Sequence, residues 1–135
     1  RRLHIKELRA QIQQAQIGYE EQKKQFFGLE FTKDNLTICV MESVNDFLEQ
    51  GDMLRHCVFT NEYYKKKDSL IFSAQNENRP VETIEISLSK MEIIQCRGNR
   101  NKATKHHSRI LRIIRRNLPE IAKRLKKQKK QTASA

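Results

Sequence analysis

The sequence predicts an α+β domain, with an antiparallel sheet of three to five strands flanked by an N-terminal helix and a basic C-terminal helix pair. Apolar residues recur at helical spacing near both ends of the chain. Between the ends, short apolar or alternating segments are separated by turn residues, which is typical of strands. A length of 135 residues fits one domain.

The first element is predicted as an amphipathic helix over residues 2–26, ending near Gly28. Apolar residues follow spacings of three and four at Ile5, Leu8, Ile12, Ala15, Tyr19 and Phe26. Such a helix either packs on a core or continues a coiled coil from upstream. Because the chain opens on Arg1-Arg2 inside this pattern, we interpret it as a fragment or a processed chain.

Five strands are predicted, at Leu29–Phe31, Leu36–Val40, Ser69–Gln75, Val81–Leu88 and Glu92–Arg97. Their short connections favour an antiparallel meander. In the fourth strand we expect Ile84, Ile86 and Leu88 to face the core.

A short helix over residues 43–50 is predicted between the second and third strands. Ser43 is its expected N-cap and Gly51 its expected end. A helical or irregular stretch should follow, from Met53 to about Lys66.

The C-terminal helical region is predicted over residues 102–128 in two pieces. Pro119 cannot normally sit inside a helix, and Asn117 with Glu120 has capping-box spacing, so a second helix should start there. Residues 1–128 are then one domain, and the basic and polar tail 129–135 is expected to be disordered.

The charge distribution predicts an anionic partner. Residues 1–96 hold 13 Lys/Arg and 15 Asp/Glu, whereas residues 97–135 hold 14 Lys/Arg and only Glu120 as an acid. Such a one-sided field attracts polyanions. The predicted phosphate contacts are Arg97, Arg100, Lys102, Lys105, Arg109, Arg112, Arg115 and Arg116. A solvated charged face is the simpler alternative, and an anionic membrane is disfavoured because the apolar stripe lacks Trp or Phe.

The sequence lacks the motifs that would indicate secretion, membrane insertion, a metal or a cofactor. Cys39, Cys57 and Cys96 have no CxxC spacing, which favours a reducing compartment. No apolar run approaches the roughly 20 residues of a membrane span, and no signal peptide is visible. We therefore expect a cytoplasmic protein with no membrane partner. No zinc-ligand spacing and no nucleotide motif occurs, so neither a metal nor a cofactor is predicted.

Two clusters of residues in the sequence have side chains that could take part in catalysis or ligand binding. His56-Cys57 is followed by two tyrosines, although a buried Cys57 that packs as a small apolar group would be ordinary. Gln95 to Asn101 includes Gly98 and leads into the C-terminal helix. Amides and arginines at such a position suit a phosphate, whereas the simpler interpretation is a plain strand–turn–helix junction.

Across these clusters the sequence resembles the PcfJ-like proteins of conjugative plasmids, integrative elements and phages. The matching residues are Gly51, His56-Cys57-Val58, Tyr63 or Tyr64, Leu70-Ile71-Phe72-Ser73, Thr83-Ile84-Glu85, Gln95, Gly98 and Asn101. They cover about residues 40–105. The resemblance implies a bacterial mobile-element origin, in a domain often carried by longer chains. It also implies one site formed by His56, a tyrosine, Gln95 and Asn101, and we take Tyr63 as that tyrosine.

Three functions follow as hypotheses. The first is a nucleic-acid-binding domain that holds the phosphate backbone of DNA or RNA through the basic C-terminal helix, with little sequence specificity. The second is an enzyme acting on nucleic acid or a nucleotide, with His56 as general acid or base beside Gln95 and Asn101. The sequence lacks the paired carboxylates expected of a metal-dependent nuclease, although Asp52, Glu62 and Glu85 stay open as carboxylates of such a site. The third is a protein-interaction module with an acidic partner.

Overall fold

A computed structural model describes the backbone of residues 2–59 and 61–134, and the side chains of residues 4–59 and 61–127. In chain order the elements are α1 (Arg2–Lys23), β1 (Glu30–Lys33), β2 (Leu36–Val40), α2 (Val44–Leu54), β3 (Ser69–Asn76), β4 (Arg79–Ser87), β5 (Glu92–Arg97) and α3 (His107–Ser134). Short 3₁₀ turns occur at Lys24–Phe26, Tyr63–Lys65 and Asn99–Asn101. The predicted α+β class is confirmed.

The five strands form one antiparallel sheet in the order β1-β2-β3-β4-β5. Each strand therefore pairs with its neighbour in sequence, as the short connections predicted. The β3–β4 turn consists of Glu77 and Asn78, both with positive φ, which is the conformation that a two-residue hairpin turn favours. β1 and β5 are the edge strands.

The sheet is covered on both faces because its strands alternate apolar side chains toward two different layers. On one face α3 packs over a core that includes Phe31, Leu36, Ile38, Phe72, Ile84, Ile86, Ile110 and Ile114. On the other face, α1 and α2 enclose a smaller core of Tyr19, Met41, Val44, Phe47, Val58, Tyr64 and Ile71. The predicted inward direction of Ile84, Ile86 and Leu88 is confirmed.

α3 is a single helix, so the prediction of two helices broken at Pro119 is wrong. Ile113 and Ile114 before the proline and Ile121 after it are buried along one side. This packing against the sheet holds the helix continuous across the missing N–H of Pro119. Asn117 does not cap a new helix, since its side-chain amide donates to the Ile113 carbonyl at 2.8 Å.

Both ends of α3 also differ from the prediction. It begins at His107 rather than at residue 102, because the preceding residues form a 3₁₀ turn and a loop. The helix continues to Ser134, over residues for which the sequence predicted disorder. Side chains from residue 128 onward lie outside the described residues, and the division of the chain into domain and tail stays a prediction.

α2 begins as predicted and ends later. Ser43 is the N-cap, and its hydroxyl accepts from the Asp46 amide at 3.1 Å. Gly51 does not end the helix, which runs to Leu54 and is capped by Arg55 in the left-handed conformation. Gly51 is instead a packing residue, since a Cβ there would lie 3.3 Å from the His56 carbonyl oxygen.

Among the described residues, no helix combines the length and the apolar composition that crossing a membrane requires.

Candidate functional site

A cavity of about 190 Å³ lies on the α2 side of the sheet, beside β4 and β5. Its lining residues are His56, Cys57, Val58, Asn61, Tyr63, Thr83, Glu85, Gln95, Arg97 and Asn101. The four site residues expected from the sequence, His56, Tyr63, Gln95 and Asn101, are all in this set. The structure therefore brings together side chains that are up to 45 positions apart in the sequence.

Strand alternation places four of these ten lining residues. Thr83 lies opposite Arg97 and Glu85 opposite Gln95 in the β4–β5 ladder. Because side chains alternate along a strand, these residues point away from Ile84 and α3, toward α2. The sheet thus presents a polar patch to the cavity while its other face carries the main apolar core.

A buried hydrogen-bond chain runs from β3 through α2 to His56. The Ser73 hydroxyl donates to Gln50 Oε1 at 2.5 Å, and Gln50 Nε2 donates to Thr83 Oγ1. Thr83 Oγ1 lies 2.8 Å from His56 Nε2. The chain fixes the imidazole ring against the sheet, since each polar group in it is held by the next.

His56 is half-buried, and burial lowers its pKa from the ordinary value of 6.5 against a smaller opposing effect of its own backbone. Its Nδ1 atom is buried and has no hydrogen-bond partner in the described part of the chain. An imidazole held neutral at one face of a cavity is a competent proton acceptor at neutral pH. It is not the fully buried, backbone-bonded histidine that would argue against a chemical role.

A second network joins the tyrosine to the sheet. Gln95 Nε2 donates to the Tyr63 hydroxyl at 2.9 Å and to Glu85 Oε1 at 2.8 Å. Glu85 Oε2 accepts from the Ser69 hydroxyl at 2.6 Å. The Lys66 ammonium lies 4.1 Å from the centroid of the Tyr63 ring.

The structure distinguishes the two tyrosines. Tyr64 is buried in the smaller core, whereas Tyr63 lines the cavity. The segment that carries them is tied to α1 by Lys23, which donates to the carbonyls of Lys66 and Lys67 at 3.0 and 3.1 Å. Burial lowers the pKa of Lys23 to about 8.

Asn101 reaches the cavity because the chain turns sharply after β5. The Gly98 amide donates to the Lys102 carbonyl at 2.7 Å, which closes the turn around the 3₁₀ segment. Gly98 has φ −105°, so glycine is needed for close backbone approach and not for a positive φ. The chain then leaves the cavity side and reaches α3.

Three residues of the cavity and its hydrogen-bond networks were not predicted from the sequence, or were predicted only as one of several alternatives. Thr83 and Gln50 were not proposed, and Glu85 was one of three possible carboxylates. The alternation of side chains in β4 already placed Thr83 and Glu85 on the face of the sheet that Ile84 does not share. This alternation was the signal in the sequence that could have identified them. Cys57 was expected to be buried, but it is exposed, because it follows the α2 cap in an irregular turn at the cavity rim.

The predicted phosphate contacts lie on two sides of the sheet. Arg97 lines the cavity, whereas Arg112, Arg115 and Arg116 line an open groove of about 460 Å³ on α3 with Ser108 and Leu111. Within the described residues these three arginines form no ion pair. By contrast, Arg109 lies 3.7 Å from Asp34.

The loop between β5 and α3 connects these two sides. It passes the end of β5, from Gly98 beside Val81 of β4 to Thr104, whose amide donates to Glu82 at 3.0 Å. The loop carries Arg100, Lys102 and Lys105, all exposed. Exposed basic side chains therefore follow a path from the cavity to the groove on α3.

One cluster on the other face has the composition of a metal site. Ligand atoms of Glu82, Cys96 and His107 lie within 4.8 Å of one another. Burial would raise the pKa of Glu82, but hydrogen bonds from Thr104, Cys96 and His107 outweigh it and hold the pKa below its ordinary value. The carboxylate is thus satisfied without a cation, and it anchors the start of α3 to β4.

The family model for "PcfJ-like protein" matches residues 2–111. No curated protein and no solved structure is detectably similar to the chain. The match covers every residue that lines the cavity and ends inside α3, before Arg112. Because it spans most of the chain, the chain belongs to the PcfJ-like family.

Proposed function

We propose that this member of the PcfJ-like family is a nucleic-acid-binding domain of a bacterial mobile-element protein, acting in the cytoplasm in conjugation or phage biology. The outer face of α3 holds the phosphate backbone. The observation that carries this proposal is the row of Arg112, Arg115 and Arg116, exposed along one groove without an acidic partner in the described residues.

Electrostatics explains why an anion should occupy this groove. Three guanidinium groups on adjacent turns of a helix repel each other unless an anion lies between them. Guanidinium groups bind phosphate oxygens in bidentate fashion, and each phosphate contact releases counterions. Such contacts position a strand without reading its sequence, so low sequence specificity is expected.

The test is fluorescence anisotropy with labelled DNA and RNA over a salt series. We expect log K to fall linearly with log salt, by about 0.7–0.9 for each phosphate contact. Replacing Arg112, Arg115 and Arg116 together by Gln should weaken binding and reduce that slope by about two to three units.

A matched control removes the same charge elsewhere. Lys6 and Arg9 are exposed on α1, which packs on the other face of the sheet, and Lys90 is exposed in the β4–β5 turn. Their triple Gln variant should bind nearly as well as the parent, with an unchanged slope. Equal losses in the two variants would show that only net charge matters, and no binding at low salt would favour an acidic protein partner instead.

An enzyme acting on nucleic acid is the second candidate, favoured by the convergence of His56, Tyr63, Gln95 and Asn101 on one cavity. A purely structural junction does not need four such side chains around an opening. If His56 is catalytic, His56→Ala should leave nucleic-acid affinity unchanged and abolish turnover.

A further inference from the structure

The backbone around the cavity is held in a conformation that ordinary residues avoid. Asp34, Glu77, Asn78 and Met91 have positive φ in hairpin turns, where the turn geometry requires it. Among the residues whose backbone the structure describes, the remaining non-glycine residues with positive φ are Arg55, Glu62, Arg100 and Asn101. They precede or form the segments that deliver His56, Tyr63 and Asn101 to the cavity, which is the distribution expected of a built site.

The lining favours proton transfer over two-metal chemistry. Glu85 is the single carboxylate among the cavity-lining residues that the structure describes. Two-metal hydrolysis needs several carboxylates around the reacting phosphate. The cavity instead combines a histidine, a tyrosine and an arginine, which supply a base, an acid and a charge clamp for a phosphodiester.

His56 is oriented as the base by the chain of hydrogen bonds behind it. Thr83 Oγ1 accepts from Gln50, so its own proton is available to His56 Nε2. This arrangement assigns Nε2 as the acceptor and places the ring proton on the buried Nδ1. A substrate hydroxyl that reaches Nε2 replaces Thr83 as its donor.

Tyr63 is placed as the acid. Its oxygen accepts from Gln95, which leaves its own proton free to donate into the cavity. The Lys66 ammonium lies over the ring face and helps to hold the ring in place. Arg97 also lines the cavity, and a guanidinium there can bind the phosphorus-bound oxygens on which negative charge develops.

We propose that this cavity cleaves RNA by transesterification without a metal ion. The 2′-oxygen attacks the adjacent phosphorus while His56 Nε2 takes the 2′-hydroxyl proton. The 2′-O–P bond forms and the P–O5′ bond breaks, and the 5′-oxygen leaves with the proton of Tyr63. The products are a 2′,3′-cyclic phosphate and a 5′-hydroxyl. DNA lacks the nucleophile, so it binds without being cut.

This inference deepens the enzyme candidate and rests on the proposed binding, because the strand must first be held by α3 and the basic loop. The exposed residues Arg100, Lys102 and Lys105, in the loop after β5, contact the phosphates of a bound strand between α3 and the cavity. Chemistry therefore takes place on one face of the sheet and most of the binding on the other.

The experiment incubates the whole chain with a labelled RNA in EDTA and separates the products by gel. Three substrates of one sequence are compared: RNA, DNA, and RNA with a single 2′-deoxy nucleotide at the main cleavage position. We expect RNA alone to be cut at that position, with a 2′,3′-cyclic phosphate end. The modified substrate tests the nucleophile without altering the protein.

Three variants locate the activity. His56→Gln and Tyr63→Phe should each lower the cleavage rate by about 100-fold or more with unchanged RNA affinity. His4→Gln changes the same residue type at an exposed position of α1 and should cut normally. Purified in parallel, the His56 variant also controls for contaminating ribonuclease.

The possible failures are distinguishable. RNA that binds with the expected salt slope yet stays intact in EDTA overturns the inference and leaves the binding proposal standing. Equal cleavage of DNA, cleavage only with Mg²⁺, or full activity in His56→Gln also overturns it. Absence of any binding overturns both proposals.

Discussion

Gly98 shows how one residue shapes the site from outside it. A Cβ at position 98 would lie 2.5 Å from the Val81 carbonyl oxygen and 2.6 Å from Thr104 Cγ2. Because neither neighbour is the free end of a flexible chain, Gly98→Ala should destabilise the fold by about 1–3 kcal/mol in urea unfolding. Gly18→Ala is the control, since nothing lies within 4 Å of its Cβ, and it should stabilise α1 by about 0.5–1 kcal/mol. Equal effects would refute the close-approach explanation.

His56 links the site to the pH dependence of stability. Burial lowers its pKa in the folded state from the ordinary 6.5, so around that pH the unfolded chain binds more protons than the folded chain. The free energy of unfolding should therefore rise with pH through this region. The contribution of His56 to that free energy is lost as the pH falls toward its folded-state pKa. His56→Gln should remove this contribution when urea unfolding is compared above and below pH 6.5. A variant with the same pH slope as the parent would contradict a neutral buried imidazole.

At the scale of single residues, the sequence predicted side chains that line the cavity better than their hydrogen-bond partners. His56, Tyr63, Gln95 and Asn101 were proposed because His, Tyr and amide clusters stand out and resemble a family pattern. Gln50 and Thr83 could not be found in the same way. A threonine in a strand and a glutamine in a short helix are ordinary, and only the packing of α2 on β4 brings them to His56.

At the scale of the helix, α3 stays continuous at Pro119 although proline normally breaks a helix, because α3 packs against the sheet. The residue is exposed inside α3, where its missing N–H leaves the Arg115 carbonyl without the helical partner. Pro119→Ala restores that bond and should stabilise the protein by up to about 3 kcal/mol in urea unfolding. The adjacent exposed change Glu120→Ala should shift stability by no more than about 0.5 kcal/mol. An unchanged stability in Pro119→Ala would mean that α3 is interrupted there.

Element boundaries were predictable where the local signal and the packing agree. The five strands and the Ser43 cap agreed because alternation and capping are local properties. The break at Pro119 and the end at Gly51 were wrong for the same physical reason. In both cases contacts with the rest of the fold determined the conformation. At Pro119 these are the contacts of buried isoleucines of α3, and at Gly51 they are the contacts of α2 with the His56 segment.

The sheet organises the whole molecule by separating the two groups of side chains for which functions are proposed. Its α3 face carries the apolar core, with the basic groove on the outer surface of that helix, while its α2 face carries the polar cavity. In the sequence Arg97 and Arg112 belong to one run of basic residues, and only the fold shows that they lie on different sides of the sheet. The exposed loop that follows β5 joins the two sides.

The most direct test of this arrangement is an amide chemical-shift titration of the ¹⁵N-labelled chain with a short RNA oligonucleotide at low salt. We predict saturable shifts over Arg112 to Arg116, through the loop of residues 98–106, and at the cavity residues, with the β1–β2 hairpin and α1 unaffected. Shifts confined to α1 or to the β1–β2 hairpin, or none at all, would contradict the proposed path of the nucleic acid.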